Sequence, residues 1–432
     1  MYMKDRRPHP NKLFYGIWQG FNANIGSLWL FSQQITKMAD QLDLEKVHEV
    51  SAQLAPLFGD DPKDVETELL EFLPSLDDLE IYPNFLENPN VRETFQFFQT
   101  SEFKKHTLEW ASQQPDKAHK LADIYATYLA EPPANGILLR RSALVSLVGF
   151  LELLLENLFF AYFYYTNLNL DINSDAHKKQ AQKRADKAMR TKRGWSERIE
   201  NFQKLGIQLG TAQNYVDELL EIVHRRNLIV HNNGLVDEGY MQFAPEKFRP
   251  RGAEIGKVLI VSTRYLLRAF SVVTVFGFAL SQACWRQWTP GRNLKKANQT
   301  VESLVYATLK QERYELIREL AGICINIQLP SRQEQFVQVN LAIAQRELGN
   351  VDDMHQIISA LSRSNPEWRV KIALAVLQGD NSKTQLLLSR ARRQNNLVQI
   401  SKYWPLFKHV QNESWFLNIF GEPRYHQVPK TD

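Results

Sequence analysis

The segment "AQNYVDELLEIVHRRNLIVHNNG", residues 212–234, decides the fold expected for the centre of the chain. Its apolar residues recur at helical spacing, and Gly234 is typical of the left-handed residue that ends a helix. Thr211, directly before the segment, is expected to cap the start of this helix. The segment therefore predicts one amphipathic helix that begins near Thr211 and ends before Gly234.

Polar residues interrupt the apolar face of this helix. On a helical wheel, the apolar arc contains Leu219, Leu220, Ile222, Val223, Ile229 and Val230. Arg226 and Asn227 fall inside this arc, and His231 lies at its edge, one turn after Asn227. Because an unpaired buried guanidinium or amide is costly, they indicate a buried hydrogen-bond network or a cleft shared with a ligand or partner. Arg225 falls outside the arc and is expected only to complement the helix dipole.

Other helices surround this one in the sequence. We expect a long apolar helix over residues 137–169, a second helix over 195–205 and a last helix within 254–288. Four helices in succession predict a helical bundle over residues 137–288.

The N-terminal part differs from this bundle. Residues 12–130 read as short helices interrupted by prolines, so residues 1–130 are predicted to be a helical region of unknown role. "AEPPANG", residues 130–136, combines two prolines and a glycine and predicts a boundary there.

The C-terminal part carries a weak internal repeat. After a predicted linker at 289–299, "VNLAIAQRELGN" (339–350) and "VKIALAVLQGDN" (370–381) align at an offset of 31 residues. "SLVYATLKQERYELIREL" (303–320) is a weaker third copy. The repeat predicts an α-solenoid-like (TPR-like) helical domain over residues 300–425, in which each helix pair packs against its neighbours. The alternative is one irregular helical domain with a chance similarity.

Composition limits the class of protein. With 432 residues, 44% hydrophobic and 23% charged, the chain is expected to be soluble, globular and all-α, with more than one domain. A net charge of +4 is too small to argue for nucleic acid by itself. The two cysteines, Cys284 and Cys324, exclude a disulfide framework and a cysteine-rich zinc site. They suit a reducing compartment, and without a recognisable secretory signal we expect the cytoplasm.

One segment is long enough to span a membrane. Residues 143–165 are strongly apolar, but Glu152, Glu156 and Asn157 interrupt the middle of the segment. A buried helix of a soluble core is favoured, and a membrane-associated protein is the alternative.

"RNLIVH", Arg226 to His231, resembles the R-x4–6-H signature of the HEPN superfamily, whose members commonly carry a polar residue after the arginine, as Asn227 does here. The surrounding "LVGFLELLLENL", "GWSERIENFQKLG" and "HNNGLVDEGY" are also similar to the HEPN arrangement. The resemblance covers about residues 137–288. It implies a bundle of four or five helices that dimerises, so that the motifs of both protomers form one composite site. It also implies a metal-independent endoribonuclease with no cofactor.

The residue chemistry is compatible with that activity. His231 is suited to take a proton from a ribose 2′-hydroxyl or to supply one to the leaving oxygen. Arg226 would hold the scissile phosphate through its planar guanidinium, and Asn227 would orient His231 or the phosphate. The resemblance matches Glu152 to the polar position of the family's first helix, hydrogen-bonded to Arg226 or the histidine. A solvated edge shared with Glu156 is the alternative.

The spacing of the motif raises a geometric difficulty. Arg226 and His231 are separated by about 140° around an ideal helix and by about 7.5 Å along it. They converge on one phosphate only if the helix frays near Gly234 or if two copies pair across a twofold axis. His224 and His231 lie on nearly the same side, but two histidines without a carboxylate are a thin metal site, and no metal is predicted.

A basic run follows the long apolar helix. Residues 177–193 contain eight basic residues against one acid, Asp186: Lys178, Lys179, Lys183, Arg184, Lys187, Arg190, Lys192 and Arg193. This excess predicts contacts with an RNA backbone. A solvated flexible loop is the alternative.

The leading functional hypothesis is thus a homodimeric HEPN-type ribonuclease, with a toxin or antiviral (phage-defence) role by family analogy. The competing hypothesis is a non-catalytic interaction protein that dimerises through the bundle and binds a protein partner through its C-terminal repeats.

Overall fold

The computed structural model of the chain describes residues 10–58, 81–82, 135–166, 174–192, 194–289, 294–394, 396 and 400–421. These residues are helical apart from one short antiparallel strand pair and the connecting turns, so the predicted all-α class is confirmed. They fall into two compact units. The first contains the described residues up to Gln208 and those of Gln213–Ser281, and the second contains Leu209–Ala212 and the described residues from Gln282 onward.

The first unit is built from a succession of helices. They are α1 (Pro10–Phe58), α2 (Asn135–Thr166), α3 (Asp175–Met189), α4 (Trp195–Lys204), α5 (Val216–Asn232), α6 (Glu238–Phe243) and α7 (Thr263–Trp288), with a 3₁₀ turn at Glu246–Phe248. A second 3₁₀ turn, Gly210–Tyr215, is divided between the two units after Ala212. Strands β1 (Ile81–Tyr82) and β2 (Val258–Leu259) pair antiparallel, with Ile81 opposite Leu259. The last residues of α7 belong to the second unit, which thus begins before the predicted linker at 289–299.

Helix α1 is a single long helix, where the sequence predicted short helices interrupted by proline. Its buried residues recur three or four positions apart, except for one gap of seven between Ile25 and Ser32, where Leu28 of the same face is half-buried. They are Asn11, Phe14, Trp18, Phe21, Ile25, Ser32, Thr36, Ala39 and Asp43. The prediction was wrong for residues 12–58, because the helix is continuous and Pro56 lies only in its last turn. The rest of the predicted N-terminal region lies outside the described residues, apart from β1.

Two carboxylates bind α1 to the start of α2. Asp43 accepts hydrogen bonds from the backbone N–H groups of Asn135 (3.0 Å) and Gly136 (2.9 Å), which are among the unpaired donors at a helix start. Asp40 forms a 2.8 Å ion pair with Arg140, whose side chain is fully buried. A Cβ on Gly136 would collide with the Asp40 carboxylate. Helix α1 therefore belongs to the same compact unit as the bundle, although the sequence predicted a domain boundary between them at residues 130–136.

Helices α2 and α7 are long and contain strongly apolar segments. Both are long and apolar enough to cross a membrane by length and composition alone, over Asn135–Tyr165 and Thr263–Trp288. Half of the apolar window of the first and 78% of that of the second is buried inside the protein. Since core helices of soluble proteins pass the same test, these helices are weak evidence for a membrane. Gly277 of α7 allows close packing, because a Cβ there would lie 2.6 Å from the Phe21 ring.

Helix α5 ends where the sequence predicts but begins later than predicted. Thr211 lies in the preceding 3₁₀ turn, and the residue before the helix is Tyr215, which makes no side-chain cap. At the other end Asn233 (φ 50°) and Gly234 (φ 87°) are both left-handed, and the Gly234 N–H donates to the Leu228 carbonyl at 2.9 Å. The predicted glycine stop is thus present, with an asparagine taking the left-handed position before it.

The second unit contains the remaining helices. They are α8 (Lys295–Lys310), α9 (Tyr314–Asn326), α10 (Ser331–Glu347), α11 (Val351–Arg363), α12 (Trp368–Leu377), α13 (Asn381–Arg393) and α14 (Ser414–Phe420), with a 3₁₀ turn at Pro405–Phe407. The two segments that align in the sequence, residues 339–350 and 370–381, begin in α10 and α12 and extend into the turn after each helix.

Three helix pairs of this unit share one turn geometry. Glu312, Gly349 and Gly379 each adopt positive φ after the first helix of a pair, at 56°, 77° and 71°. In each turn the following residue donates its N–H to the carbonyl five positions earlier: Arg313 to Thr308, Asn350 to Gln345 and Asp380 to Ala375. When Gly349 is aligned with Gly379, the offset between the two helix pairs is 30 residues, one fewer than the 31 of the sequence alignment. The weak third copy is one of these pairs, with a glutamate at the glycine position.

Candidate functional site

Glu152 connects two arginines on the surface of the first unit. Its Oε1 accepts from Nη2 of Arg226 on α5 at 2.8 Å and from Nη1 of Arg198 on α4 at 2.9 Å. The side chain of Arg226 is 15% exposed and that of Glu152 is 30% exposed. Three helices of the bundle, α2, α4 and α5, therefore contribute one charged side chain each to a single cluster at the protein surface.

The contact between Glu152 and Arg226 is the first of the two alternatives that the sequence left open for Glu152. Glu156, the residue of the other alternative, instead accepts from Gln182 of α3 at 2.6 Å. The two glutamates on α2 thus have separate partners.

Arg198 is a member of the cluster that the sequence analysis missed. Its Nε donates to the Met189 carbonyl at the end of α3 (2.9 Å), and its guanidinium lies 5.3 Å from the Trp195 ring. These contacts hold Arg198 against Glu152. The signal was present in "GWSERIENFQKLG", where Arg198 follows Trp195 in the first turn of α4, but nothing in a single sequence connects that position to α2.

The cluster carries an excess positive charge. One carboxylate is shared by two guanidinium groups, so one positive charge is not neutralised within it. The Nε of Arg226 is also buried and has no acceptor among the described residues. Arg226 therefore has a hydrogen-bond donor that the described residues leave unused.

Asn227 and His231 lie further round α5. Asn227 is half-buried and His231 is exposed, and within the described part of the chain their side chains make no hydrogen bond to each other. Helix α5 is intact through Asn232, so the end of the helix does not fray to bring His231 toward Arg226. One protomer therefore presents Arg226 and His231 as separate groups on one helix.

Arg225 is not a cation at the helix end, and this prediction was wrong. Its side chain is fully buried and donates to Glu221 Oε1 at 2.8 Å and to the Ile260 carbonyl at 3.1 Å. The guanidinium also lies 3.7 Å from the centroid of the Tyr265 ring. Glu221, Arg225 and Leu228 form a second buried face of α5, which packs against α6 and the segment before α7. The wheel missed this face because two of its three residues are charged.

Two tyrosines complete the surroundings of Glu221. Tyr240 donates its hydroxyl to Glu221 Oε1 and Tyr265 donates to Oε2, both at 2.8 Å. Burial is the main reason that the pKa of each tyrosine lies well above its ordinary value, and the Glu221 carboxylate raises both further. Both hydroxyls therefore stay protonated and donate to the carboxylate. The network of Glu221, Arg225, Tyr240 and Tyr265 is structural, and we call it the buried network.

The apolar arc of α5 ends earlier than predicted. Leu219, Leu220, Ile222 and Val223 are buried, but Val230 is 48% exposed. Leu153, next to Glu152 on α2, is equally exposed. Leu153 and Val230 are thus exposed apolar side chains on the helices that hold Glu152 and Arg226.

Most of the basic run, residues 177–189, lies in helix α3 rather than in a loop, and Arg190 and Lys192 follow the helix. Ser174 caps α3 by accepting from the His177 N–H at 3.1 Å. The side chains of Lys178, Lys179, Lys183, Arg184, Lys187, Arg190 and Lys192 are exposed, and Arg193 lies outside the described residues. Helix α3 thus presents a row of cations to solvent beside α2, and its last turn approaches Arg198 through Met189.

His224 packs on an aromatic ring. Its imidazole stacks on Phe243 with the ring centroids 6.2 Å apart. Burial lowers the pKa of His224, and Asp237 opposes this shift. Within the described ranges, no group of three or more His, Cys, Asp or Glu side chains is placed to hold a metal ion.

Comparison of the chain with family models, with curated proteins and with solved structures finds no match.

Proposed function

We propose that residues 137–288 form a HEPN-type ribonuclease domain, and that the protein is a metal-independent endoribonuclease acting as a homodimer. The observation that supports this most is the contact between Glu152 and Arg226 across α2 and α5. The resemblance of "RNLIVH" to the R-x4–6-H signature implies that Glu152 contacts either Arg226 or the histidine. The excess positive charge of the cluster agrees with a site for a phosphate group.

The proposed reaction is an intramolecular transesterification. A histidine accepts the proton of the ribose 2′-hydroxyl, the 2′ oxygen attacks the phosphorus, and the bond from phosphorus to the 5′ oxygen breaks. The 5′ oxygen leaves with a proton, which gives a 2′,3′-cyclic phosphate and a 5′-hydroxyl. Arg226 stabilises the charge on the phosphate oxygens, and Asn227 positions the phosphate or His231. Glu152 is a positioning residue that acts through Arg226.

Two copies of the motif are needed in this proposal. Because α5 is intact through Asn232, Arg226 and His231 of one chain stay about 140° apart around the helix. A twofold axis beside the C-terminal half of α5 would let one chain supply the arginine and the other the histidine to the same phosphate. Each histidine would then serve as acid or base in a shared site.

The cations of α3 and of the turn after it are proposed to bind the RNA backbone: Lys178, Lys179, Lys183, Arg184 and Lys187 on the helix, Arg190 and Lys192 after it, and Arg193 outside the described residues. We place the protein in the cytoplasm, with a role as a toxin or phage-defence effector that cleaves RNA. The helix pairs of the second unit are proposed to bind a protein partner.

RNA cleavage in the absence of metal tests the activity directly. Wild type, Arg226→Ala and His231→Ala are incubated with total RNA in EDTA, and the RNA ends are identified. We expect cleavage by the wild type alone, with 2′,3′-cyclic phosphate ends. Arg332→Ala and His355→Ala remove exposed side chains of the same types from the second unit and should cleave like the wild type. Equal inertness of wild type and both site variants would contradict the proposal.

Substitution of Val230 tests the dimer. We expect Val230→Asp to shift the protein from dimer to monomer in analytical ultracentrifugation, because a charge at an apolar contact is desolvated without a partner. Val351→Asp is the matched control, since Val351 is 50% exposed at the start of α11 in the second unit. A wild-type protein that is monomeric at micromolar concentration, or a Val230→Asp variant that remains dimeric, would contradict the proposed interface.

A non-catalytic interaction protein is the second candidate function. Exposed apolar side chains on the second unit favour it: Ile325 (69%), Tyr403 (60%) and Leu386 (47%). Single exposed apolar residues are common, so this observation is weaker than the Glu152–Arg226 contact. A protein that dimerises through Val230 but leaves RNA intact in EDTA and in Mg²⁺ would favour this function.

A further inference from the structure

Arg198 and Arg226 bind the same oxygen atom from two different helices. Nη1 of Arg198 on α4 donates to Oε1 of Glu152 at 2.9 Å, and Nη2 of Arg226 on α5 donates to the same atom at 2.8 Å. Two guanidinium groups that converge on one carboxylate oxygen are also spaced to share one phosphate group, whose oxygens accept the same kind of hydrogen bond. The R-x4–6-H motif contains only Arg226, and the resemblance assigns no role to Arg198.

Arg198 is held in place by contacts that do not involve Glu152. Its Nε donates to the Met189 carbonyl at 2.9 Å, and its guanidinium lies 5.3 Å from the Trp195 ring. Asn201, three residues along α4, donates to another carbonyl near the end of α3 at 3.2 Å. The side chain of Arg198 is 20% exposed, so it remains accessible to a ligand. A guanidinium fixed in this way loses little conformational entropy when it binds an anion.

The charge of the cluster depends on Arg198. Glu152 and Arg226 together are neutral, and the cluster is positive because Arg198 shares the same carboxylate. Within the described part of the chain, neither arginine forms an ion pair with any other carboxylate. A phosphodiester carries one negative charge, so its binding would make the three side chains and the phosphate neutral overall. Without Arg198, the remaining pair would offer no net charge to attract the phosphate.

Arg198 also connects the motif to the cations at the end of α3. It contacts the last residue of that helix, Met189, through the hydrogen bond from Nε. Lys187, Arg190 and Lys192 are exposed in the last turn of α3 and just after it. The cluster of Glu152, Arg198 and Arg226 is therefore continuous with the cations for which contacts with the RNA backbone are proposed.

We propose that Arg198 is a phosphate-binding residue, and that Arg198 and Arg226 together hold one phosphodiester group of the RNA. This inference rests on the proposed function, because that function supplies RNA as the ligand. Arg198 restores the positive charge that Glu152 removes from Arg226, and its planar guanidinium supplies a second set of donors to the phosphate oxygens. Glu152 sets the spacing of the two arginines in the free protein.

Binding of an RNA that cannot be cleaved tests this role. A fluorescent single-stranded RNA with 2′-O-methyl groups in place of the 2′-hydroxyls is titrated with the full-length protein in EDTA, and anisotropy gives Kd at several salt concentrations. We expect Arg198→Ala to raise Kd by about tenfold or more, since it removes a charged hydrogen-bonding group. The salt dependence of log Kd should fall by about 0.7, the value for one phosphate contact with a single strand. Arg198→Lys keeps the charge and should raise Kd less.

Removal of the Glu152 charge separates this role from a structural one. In Arg198→Ala/Glu152→Gln the net positive charge of the cluster returns, because Arg226 is no longer paired with a carboxylate. We expect this double variant to bind the RNA several-fold more tightly than Arg198→Ala does. If Arg198 served only to hold α2, α3 and α4 together, the second substitution would remove one more contact and would not restore binding.

Arg318→Ala is the matched control, because Arg318 is an exposed arginine of the second unit that is paired with one glutamate, Glu315. This variant should bind the RNA like the wild type, and circular dichroism checks that every variant folds. The proposal is overturned if the wild type does not bind the RNA at about 100 µM, the weak end of non-specific binding. It is also overturned if folded Arg198→Ala binds like the wild type, or if the double variant shows no recovery.

The binding readout is independent of cleavage, so the two proposals fail separately. A protein that binds the RNA through Arg198 but leaves ordinary RNA intact would contradict the ribonuclease activity and support this site. A protein that cleaves RNA and binds it equally well without Arg198 would contradict this site alone.

Discussion

Replacement of Arg225 by alanine is expected to lower the free energy of unfolding by about 3–5 kcal/mol, because it leaves the buried carboxylate of Glu221 without its cation. Both side chains are nearly inaccessible to solvent, at 0% and 2% exposure. The Ile260 carbonyl also loses the hydrogen bond from Arg225 Nη1. Urea or thermal unfolding followed by circular dichroism measures the loss.

The adjacent residue is the matched control for this prediction. Arg226→Ala removes the same side chain one position along α5, but its ion pair with Glu152 is partly exposed to solvent, and Arg198 still neutralises Glu152. We expect a change within about 1 kcal/mol. Arg225→Lys keeps the charge and should fall between the two, since lysine lacks the planar group that reaches Glu221 and Ile260 together. Equal stability of Arg225→Ala and Arg226→Ala would contradict the structural role of the buried network.

This contrast shows what the sequence could and could not predict about α5. The helix, its glycine stop and the special position of Arg226 follow from residue spacing alone. Residue spacing does not predict that Arg225 is buried in an ion pair with Glu221 while Arg226 pairs with Glu152. That arrangement depends on Tyr240 and Tyr265, which lie 15 and 40 residues after Arg225 in the chain and reach Glu221 only after folding. A helical wheel ranks residues by their own polarity, so a buried face made of charged residues is assigned to solvent.

The N-terminal helix was predicted as short pieces for a related reason. Its buried face changes from aromatic residues near Trp18 to polar ones at Ser32, Thr36 and Asp43, and a search for apolar periodicity loses the second half. Asp43 is buried because it accepts the free N–H groups at the start of α2, 92 or more residues later in the chain. No local sequence pattern predicts a cap by a residue so distant in the chain.

The repeat of the second unit was only partly visible because one turn breaks the usual residue preference. Glycine adopts positive φ without steric cost, which explains Gly349 and Gly379. Glu312 occupies the same position at φ 56°. The pair α8 and α9 therefore has the same turn without the glycine by which the turn is recognised in the sequence. The sequence alignment was also one residue out of register at the turn, since it matched apolar helix positions and not the left-handed residue.

The largest effect on activity is expected for the motif itself. His231→Ala should reduce RNA cleavage by about 10²–10⁴-fold through loss of proton transfer, and Arg226→Ala by about 10²–10³-fold through loss of charge stabilisation. If the two side chains act on one phosphate, the double variant Arg226→Ala/His231→Ala should cleave about as slowly as the slower single variant, because the second loss removes little from a site that is already disabled. Single-turnover cleavage of a defined RNA in EDTA gives all four rates.

The comparison of these four proteins is informative because removal of either side chain is expected to leave the protein folded. His231 is exposed and Arg226 is held by an ion pair at the surface, so all variants should keep the wild-type melting behaviour. Glu152→Gln adds a graded comparison: it keeps the shape of the side chain but weakens its hold on Arg226, and should slow cleavage less than loss of the arginine does. Strictly multiplicative losses in the double variant would mean that Arg226 and His231 act independently. The composite site would then be contradicted even if the protein cleaves RNA.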